Sequence, residues 1–504
     1  MIIDIDDLIQ IEKVDEVWMK IHASRSILSE LSEYFTFTVP GAHYMYKYKM
    51  KLWDGKIRLL NRTNCTLYAG LVDYVKQFAA ERNYNTEIDS KITSSKNNID
   101  DYVDEFISSL KLPLSPRDYQ LDAFKTGIEN KRNTIVSVTG SGKSLIAYLI
   151  IRWFLEYNDK KVLLVVPTTS LCEQMYKEFE NYSVNESKFS EDNVHIIYQG
   201  KDKNSDKKVF VSTWQSLYKQ PKEYFEKFGC VIIDECHLAS ADSLKNILEK
   251  CSNTEYRYGM TGTLQETKSN QYVIQGLTGP KHQVTTTKTL MDNNTLASLK
   301  IKCLVLNYPE EDCKTAKKMA YPDEIEFLIA NTPRNKFIRN LSASLKGNSL
   351  VMFKQIKQGK VLYEMIKEKV GDSRKVFYIS GATETLEREQ IREITETEEN
   401  AILVSSMGVF STGINIKNLE HIIFCSPTKS RIKTLQSIGR VLRVGRSDKA
   451  TVWDICDDLH WKRHKNFCLK HFLERVRYYD EEKFEYTVHN VTLISSSPLT
   501  KELS

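Results

Sequence analysis

Between about residue 134 and residue 285, short apolar runs rich in β-branched residues alternate with stretches of helical length. The runs are 134–138, 161–166, 194–198, 209–211 and 230–233, and helical stretches such as 144–157 and 170–182 separate several of them. Strands that are apolar on both faces must be covered on both faces, which requires a parallel sheet flanked by helices. A second series follows at 299–308, 349–353, 375–379, 401–404, 421–424 and 450–454. The chain is therefore expected to be α/β, with two parallel-sheet domains behind a small N-terminal α+β module and ahead of a short helical C-terminal tail. The expected boundaries are 1–100, 101–290, 291–458 and 459–504, with a polar linker at 89–101.

The 504 residues suffice for several cores. Hydrophobic residues make up 41% and charged residues 27%, an ordinary globular balance that argues against a disordered or fibrous chain. A net charge of +5 is too small to identify a nucleic-acid partner, so that case rests on local patches. No apolar run reaches the roughly 18 residues of a membrane span, and the acidic start is unlike a secretory signal. Ten cysteines without a C-x-x-C pair read as reduced thiols. A cytoplasmic protein without membrane attachment is expected.

Chemistry concentrates first at Val136-Ser137-Val138-Thr139-Gly140-Ser141-Gly142-Lys143-Ser144, which follows a β-rich run and opens a helix. Glycines let backbone N–H groups approach phosphates, and a helix N-terminus favours negative charge. Lys143 would neutralise the β/γ-phosphates of ATP and the Ser144 hydroxyl would bind Mg²⁺. The usual loop has glycine where this chain has Ser137. About 90 residues on, Asp234 and Glu235 end another apolar run. Asp234 is the expected Mg²⁺ carboxylate, and Glu235 orients or deprotonates the attacking water. Upstream, the amide of Gln120 in Arg117-Asp118-Tyr119-Gln120 has the donor and acceptor needed to read an adenine edge.

In order along the chain, these motifs resemble the superfamily 2 helicases and translocases. The resemblance makes the sheets RecA-like and assigns nucleotide binding to Arg117, Gln120, Thr139, Gly140, Ser141, Gly142, Lys143 and Ser144. It places strand-contacting elements at 166–171, with Thr168 and Thr169, and at 212–215, with Thr213. Asp234-Glu235-Cys236-His237 is then a DECH box. His237, Thr261, Thr263 and Gln436 would couple hydrolysis to movement. In the second domain, 351–354 fits a further strand–loop motif, and 405–415 resembles a motif touching both DNA and nucleotide, with Ser405, Gly413 and Asn415. Residues 436–443 resemble an arginine-finger motif: Arg440 and Arg443, three apart on a helix, would enter the cleft from the second domain and stabilise the γ-phosphoryl. Trp53-Asp54-Gly55-Lys56-Ile57-Arg58-Leu59-Leu60, the DECH box and the length together resemble the UvsW helicase family of T-even-like phages. That family carries a small N-terminal DNA-binding module and acts on branched DNA and R-loops.

The implied activity is an ATP- and Mg²⁺-dependent DNA helicase that remodels forks, Holliday junctions, D-loops and R-loops. Its partners would be branched, duplex and R-loop DNA, with RNA–DNA hybrids as a further class and phage recombination proteins as companions to a monomer. An RNA helicase of the same superfamily and a DNA-binding or annealing protein with a vestigial ATPase stand as alternatives; Ser137 is the feature favouring the latter.

Two flanking segments carry weaker signals. The segment 43–62 holds Lys47, Lys49, Lys51 and Arg58, with Tyr44, Tyr46, Tyr48 and Trp53 interleaved among its basic residues. A strand there would put lysines on one face for DNA phosphates and tyrosines on the other. A hairpin turning at Asp54-Gly55, with aromatics in its core and solvated lysines, fits the same pattern. In 460–471, His460, His464, Cys468 and His471 recur at helical spacing. One helix rarely wraps four metal ligands, so a basic amphipathic helix packed on the second domain is expected.

Overall fold

The computed structural model describes residues 7–92 and 100–493, apart from 187, 199, 241, 265–266, 413–415, 417, 427 and 443–448. The chain divides into two compact units, Met1–Thr285 and Thr286–Ser504.

The first unit holds a seven-stranded sheet ordered Lys281–Gln283, Arg132–Val136, Tyr256–Thr261, Phe228–Asp234, Lys161–Val166, Val209–Thr213, Val194–Ile197. Every pairing is parallel. Tyr256–Thr261 and Lys281–Gln283 lie outside the runs expected from the sequence. Tyr256-Arg-Tyr-Gly-Met-Thr carries an arginine in its middle, which breaks the apolar signal. Arg257 is nonetheless fully buried. Its guanidinium donates to the Leu248, Cys251 and Leu277 carbonyls at 2.6–2.8 Å. Those oxygens lie at and just beyond the C-terminal ends of two helices, where positive charge is favourable. Burial alone would push this arginine down, and its pKa falls to about 10.

Four further strands form the N-terminal sheet, ordered Thr66–Tyr68, Trp18–His22, Leu8–Lys13, Asn85–Ile88. Helices Arg25–Tyr34 and Val72–Glu81 belong to the same module. Ile9, Met19, Leu31, Val75 and Phe78 from this module share one continuous core with Ile247, Ile274 and Leu277 of the larger domain. Tyr68 donates to Glu249 at 2.6 Å, and Tyr74 to Gln275 at 3.0 Å. The module is thus built onto the Asp242–Lys250 and Lys268–Thr278 helices and is no tethered appendage.

The second unit has its own seven-stranded parallel sheet, ordered Val376–Ile379, Ile402–Ser406, Ser349–Phe353, His421–Phe424, Lys449–Asp458, Ser298–Asn307, Tyr486–Thr492. The last strand corrects the expectation of a purely helical tail. Tyr486-Thr-Val-His-Asn-Val-Thr is β-branched and half polar, which suits a largely exposed strand at the sheet edge, paired only with Ser298–Asn307. The helix expected from residue 460 begins at Phe467 instead. Asn466 is drawn aside: its side chain accepts from Leu459 N and donates to Glu324 and to the Asp457 carbonyl. Fully buried Glu324 then accepts from the Phe467 and Cys468 N–H groups at 2.9 and 2.8 Å, a charged cap for the new helix. Below it, Arg334 forks onto Asp457 and Arg475 onto Asp454, all four side chains buried. Among the described residues no helix is long and apolar enough to cross a membrane.

Candidate functional site

The phosphate loop joins the Arg132–Val136 strand to the Lys143–Tyr157 helix. Gly140 and Gly142 adopt φ of +86° and +84°, a left-handed conformation that glycine enters without strain. A side chain at Gly142 would also strike Gln120, whose Nε2 lies 2.3 Å from the position of an added Cβ. Gln120 is buried: its amide donates to the Ser141 carbonyl at 2.7 Å and accepts from Arg117 N–H at 2.9 Å. The residue expected to read adenine therefore also braces the loop, together with Tyr119, which donates to the same carbonyl at 3.2 Å. Exposed Arg117 rests on Tyr119.

Ser137 is fully buried beneath the loop. The Ser141 hydroxyl donates to the Val138 carbonyl at 2.6 Å, so Ser137 donates in turn to Ser141 Oγ, also at 2.6 Å. The departure from glycine is accommodated inside the loop. Lys143 Nζ donates to the Ser137 carbonyl at 3.0 Å, and the Ser144 and Tyr182 hydroxyls are 2.9 Å apart. Thr139 is half-buried beside them.

Asp234 ends the Phe228–Asp234 strand, as expected, but that strand does not neighbour the loop strand. Tyr256–Thr261 lies between them, and its last residue joins the two halves of the site. Ser137 N–H donates to the Thr261 carbonyl at 2.9 Å. On the other side the Thr261 hydroxyl lies 3.0 Å from His237 Nδ1 and 3.4 Å from Glu235 Oε2, and it reaches the Thr263 carbonyl at 3.0 Å. His237 Nδ1 is 3.2 Å from Glu235 Oε2. Glu235 holds φ of +52°, a left-handed conformation costing a non-glycine residue about 1–3 kcal/mol, of the kind stored at functional sites. Burial and the neighbouring Glu235 charge push the Asp234 carboxyl up to about 7, against the pull of Lys143. A hydroxyl and a desolvated carboxylate are hard oxygen donors of the type Mg²⁺ prefers. Ser144 and Asp234 thus fit the metal. Cys236 is buried against Gly259.

The expected nucleic-acid contacts divide. Thr168 caps the Thr169–Tyr182 helix by accepting from Leu171 N–H at 3.3 Å, and Thr169 is exposed. Thr213 is largely buried and bonds Ser216 at 3.0 Å. Thr168 and Thr213 sit at the carboxyl ends of their strands, where ligands bind in parallel sheets. Ser405 does not face outward: it is fully buried within Ile402–Ser406, a strand covered on both faces. Lys47, Lys49 and Lys51 are exposed, but Lys47 and Lys49 lie on the short Tyr46–Lys49 helix and Lys51 on the turn after it, not on a strand. Thr36–Thr38 already pairs with Lys56–Arg58, which leaves residues between them as the connection. Their aromatic neighbours are exposed as well, so the hairpin-core reading fails, and Arg58 is paired with Asp54.

In the second unit Gln436 is largely buried on the Arg431–Val441 helix. Arg440 lies on that helix with its side chain outside the described residues. Gly413, Asn415 and Arg443 lie outside the described residues altogether. No group of three metal-ligating side chains occurs among the described residues; His460 bonds Asp458, and His471 packs on Tyr321.

Comparison with known proteins adds an independent line. Residues 8–89 match the family DNA helicase UvsW, N-terminal; residues 113–266 match Type III restriction enzyme, res subunit; residues 333–445 match the helicase conserved C-terminal domain. The ATP-dependent DNA helicase uvsW of Enterobacteria phage T4 is 36% identical over 498 residues, covering 94% of this chain and 98% of the phage protein. The DNA 3'-5' translocase XPB2 of Sulfurisphaera tokodaii is 26% identical over 376 residues, 67% of this chain and 82% of that protein. The crystal structure of T4 UvsW superposes with a TM-score of 0.52 at 34% identity, covering 96% of this chain and 100% of that one. Both sheets, the loop bridged through Thr261 to its acidic pair, and a relationship extending through the N-terminal module agree: the chain belongs to the UvsW family of superfamily 2 helicases.

Proposed function

We propose that the protein is an ATP-dependent DNA motor that unwinds or branch-migrates forks, Holliday junctions, D-loops and R-loops, in phage recombination, repair and control of replication. Lys143 and the loop N–H groups hold the β/γ-phosphates, and Glu235 orients the attacking water and accepts its proton. Ser144 and Asp234 hold Mg²⁺, which when bound neutralises charge on the phosphate oxygens. Arg440 and Arg443 supply the cationic stabilisation of the transferring phosphoryl group. Thr168, Thr169 and Thr213, with the exposed Lys47, Lys49 and Lys51, contact the DNA backbone without reading bases. The protein works as a monomer in the cytoplasm, the host's if it is phage-encoded.

The observation that carries this reading is the Thr261 bridge. One residue bonds the nucleotide loop through its carbonyl and the water-orienting carboxylate network through its hydroxyl. A shift in either half is therefore felt by the segment that leads into the Lys268–Thr278 helix, on which the N-terminal module is seated. Branched substrates suit such a motor energetically. Parting one base pair costs about 1.4 kcal/mol on average, whereas branch migration re-forms one pair for each pair broken.

The test is ATP hydrolysis by the purified full chain with no nucleic acid, duplex DNA, a fork, a four-way junction, an R-loop and RNA alone. Stimulation by junctions and R-loops, lost in Glu235→Gln, is expected. Stimulation by RNA alone would instead identify an RNA helicase, and no hydrolysis on any substrate would leave a binding or annealing protein.

A further inference from the structure

The connection between Thr36–Thr38 and Lys56–Arg58 projects from the N-terminal module, and every residue from His43 to Leu52 is exposed. Tyr44, Tyr46 and Leu52 are 76%, 71% and 74% exposed, with Tyr48 and Met50 beside them. Large apolar groups gathered this way and rimmed by charge mark an interaction surface. The segment is nonetheless folded. Ala42–Tyr44 and Tyr46–Lys49 are helical turns, Leu52 N–H donates to the Lys47 carbonyl at 2.9 Å, and Val39 N–H donates to the Gly55 carbonyl at 2.8 Å. Trp53 turns back to donate to the Lys56 carbonyl at 2.9 Å. Gly55, at φ of +78°, is packed so closely that a Cβ there would lie 3.0 Å from both Ala42 and Tyr48.

The base of this tip is fixed to the motor. Phe37 and Phe35 place their rings 5.1 and 6.0 Å from Tyr272. Tyr272 belongs to the Lys268–Thr278 helix, which starts five residues after Thr263. A displacement of that helix would carry the tip with it.

The chemistry of the tip selects its partner. Lys47, Lys49 and Lys51 are interleaved with the tyrosines and Lys56 follows, while the nearby acid, Asp54, is held by Arg58. An apolar protein face would leave those ammonium groups without counter-charge. Nucleic acid with unpaired bases supplies phosphates for the lysines and π-faces for the tyrosines. On the reading of the protein as a DNA motor, we propose that the 43–52 tip is a strand-parting wedge. Tyr44 and Tyr46 stack on the bases at the boundary between duplex and single strand, Leu52 fills the step, and the lysines hold the flanking backbone. Such a wedge supplies strand separation without a dedicated domain.

The test uses the full chain and a forked DNA carrying 2-aminopurine at the first unpaired position. Wild-type protein is expected to change the 2-aminopurine fluorescence by stacking. The triple variant Tyr44→Ala/Tyr46→Ala/Leu52→Ala, altered at exposed positions, should lose that change and part the fork about ten-fold more slowly. Its ATP hydrolysis on single-stranded poly(dT) should be unaltered, and Tyr44→Trp/Tyr46→Trp should restore both signals. Unaltered fluorescence and fork parting in the triple variant would overturn the wedge. An equal loss of hydrolysis and fork parting would overturn it too. A wild-type protein that hydrolyses no ATP with any DNA would sink the motor reading, while the fluorescence comparison would still decide whether the tip stacks on bases.

Discussion

His237 Nδ1 lies 3.0 Å from the Thr261 hydroxyl, and both side chains are almost fully buried. The same hydroxyl is within 3.4 Å of the Glu235 carboxylate. The group that would handle the attacking water is thereby linked to the strand end that leads into Thr263. Thr261→Val keeps the volume and removes the hydroxyl. Leaving buried polar partners unpaired costs about 1–3 kcal/mol, or about five- to 160-fold in a coupled step. Base pairs parted per ATP hydrolysed should fall by that factor, with hydrolysis itself less affected. Equal loss of both would remove the coupling role.

Glu235→Gln retains shape and hydrogen bonding but cannot take a proton. Removing a general base lowers turnover by about 10²–10⁴-fold. Steady-state hydrolysis should show that loss while fork affinity in a binding assay is retained. Lys143→Ala should abolish hydrolysis in the same manner. Persistent turnover in Lys143→Ala would refute the phosphate-loop assignment.

Ser137 differs from the usual glycine and is satisfied inside the loop by Ser141. Ser137→Ala deletes one intraloop hydrogen bond worth about 1 kcal/mol. A small drop in Tm, with ATP hydrolysis still measurable, is expected. A protein already inactive with Ser137 in place would revive the vestigial-ATPase reading.

The second unit rests on paired buried charges. Asp457 accepts from Arg334 Nε and Nη2 at 2.7 and 3.0 Å, and from Tyr308 at 2.7 Å. Asp457→Ala strands a buried guanidinium, for which about 3–5 kcal/mol is expected. Denaturant unfolding should show a low-stability transition in this variant. An unchanged midpoint would contradict the buried pair.

His471 gives a pH signature. Burial, and then the nearby Lys429, Arg475 and Lys354 charges, push its pKa from 6.5 down to about 4, with Glu324 opposing. In the window between those values the unfolded chain binds a proton that the folded chain refuses. Stability is therefore complete above about 6.5 and is lost as pH falls toward 4. Tm measured across that window should decline less steeply in His471→Gln than in wild type. Parallel slopes would exclude the contribution.

Much of the motor is legible in the linear chain because its signals are local. Apolar runs at 161–166, 349–353 and 421–424 coincide with strands Lys161–Val166, Ser349–Phe353 and His421–Phe424. Burial on both sheet faces leaves little freedom in composition there. Gly140 and Gly142 likewise announce the loop because the backbone there must turn left-handed. Less legible were Tyr256–Thr261, masked by the buried Arg257, and Tyr486–Thr492, whose half-polar pattern resembles a loop.

The sequence by itself determined the fold class, the order of the motifs and the residue types available for phosphate chemistry, since each follows from short-range periodicity or from one backbone conformation. Only the tertiary structure decided that Thr261 stands between the loop and the acidic pair, that Gln120 braces the loop, that Ser405 is buried and that the 43–52 tip is helical and exposed. Those outcomes depend on which strands pair across long stretches of chain and on what is left unpaired. Pairing of that kind is settled by the burial of whole surfaces, which no local pattern records.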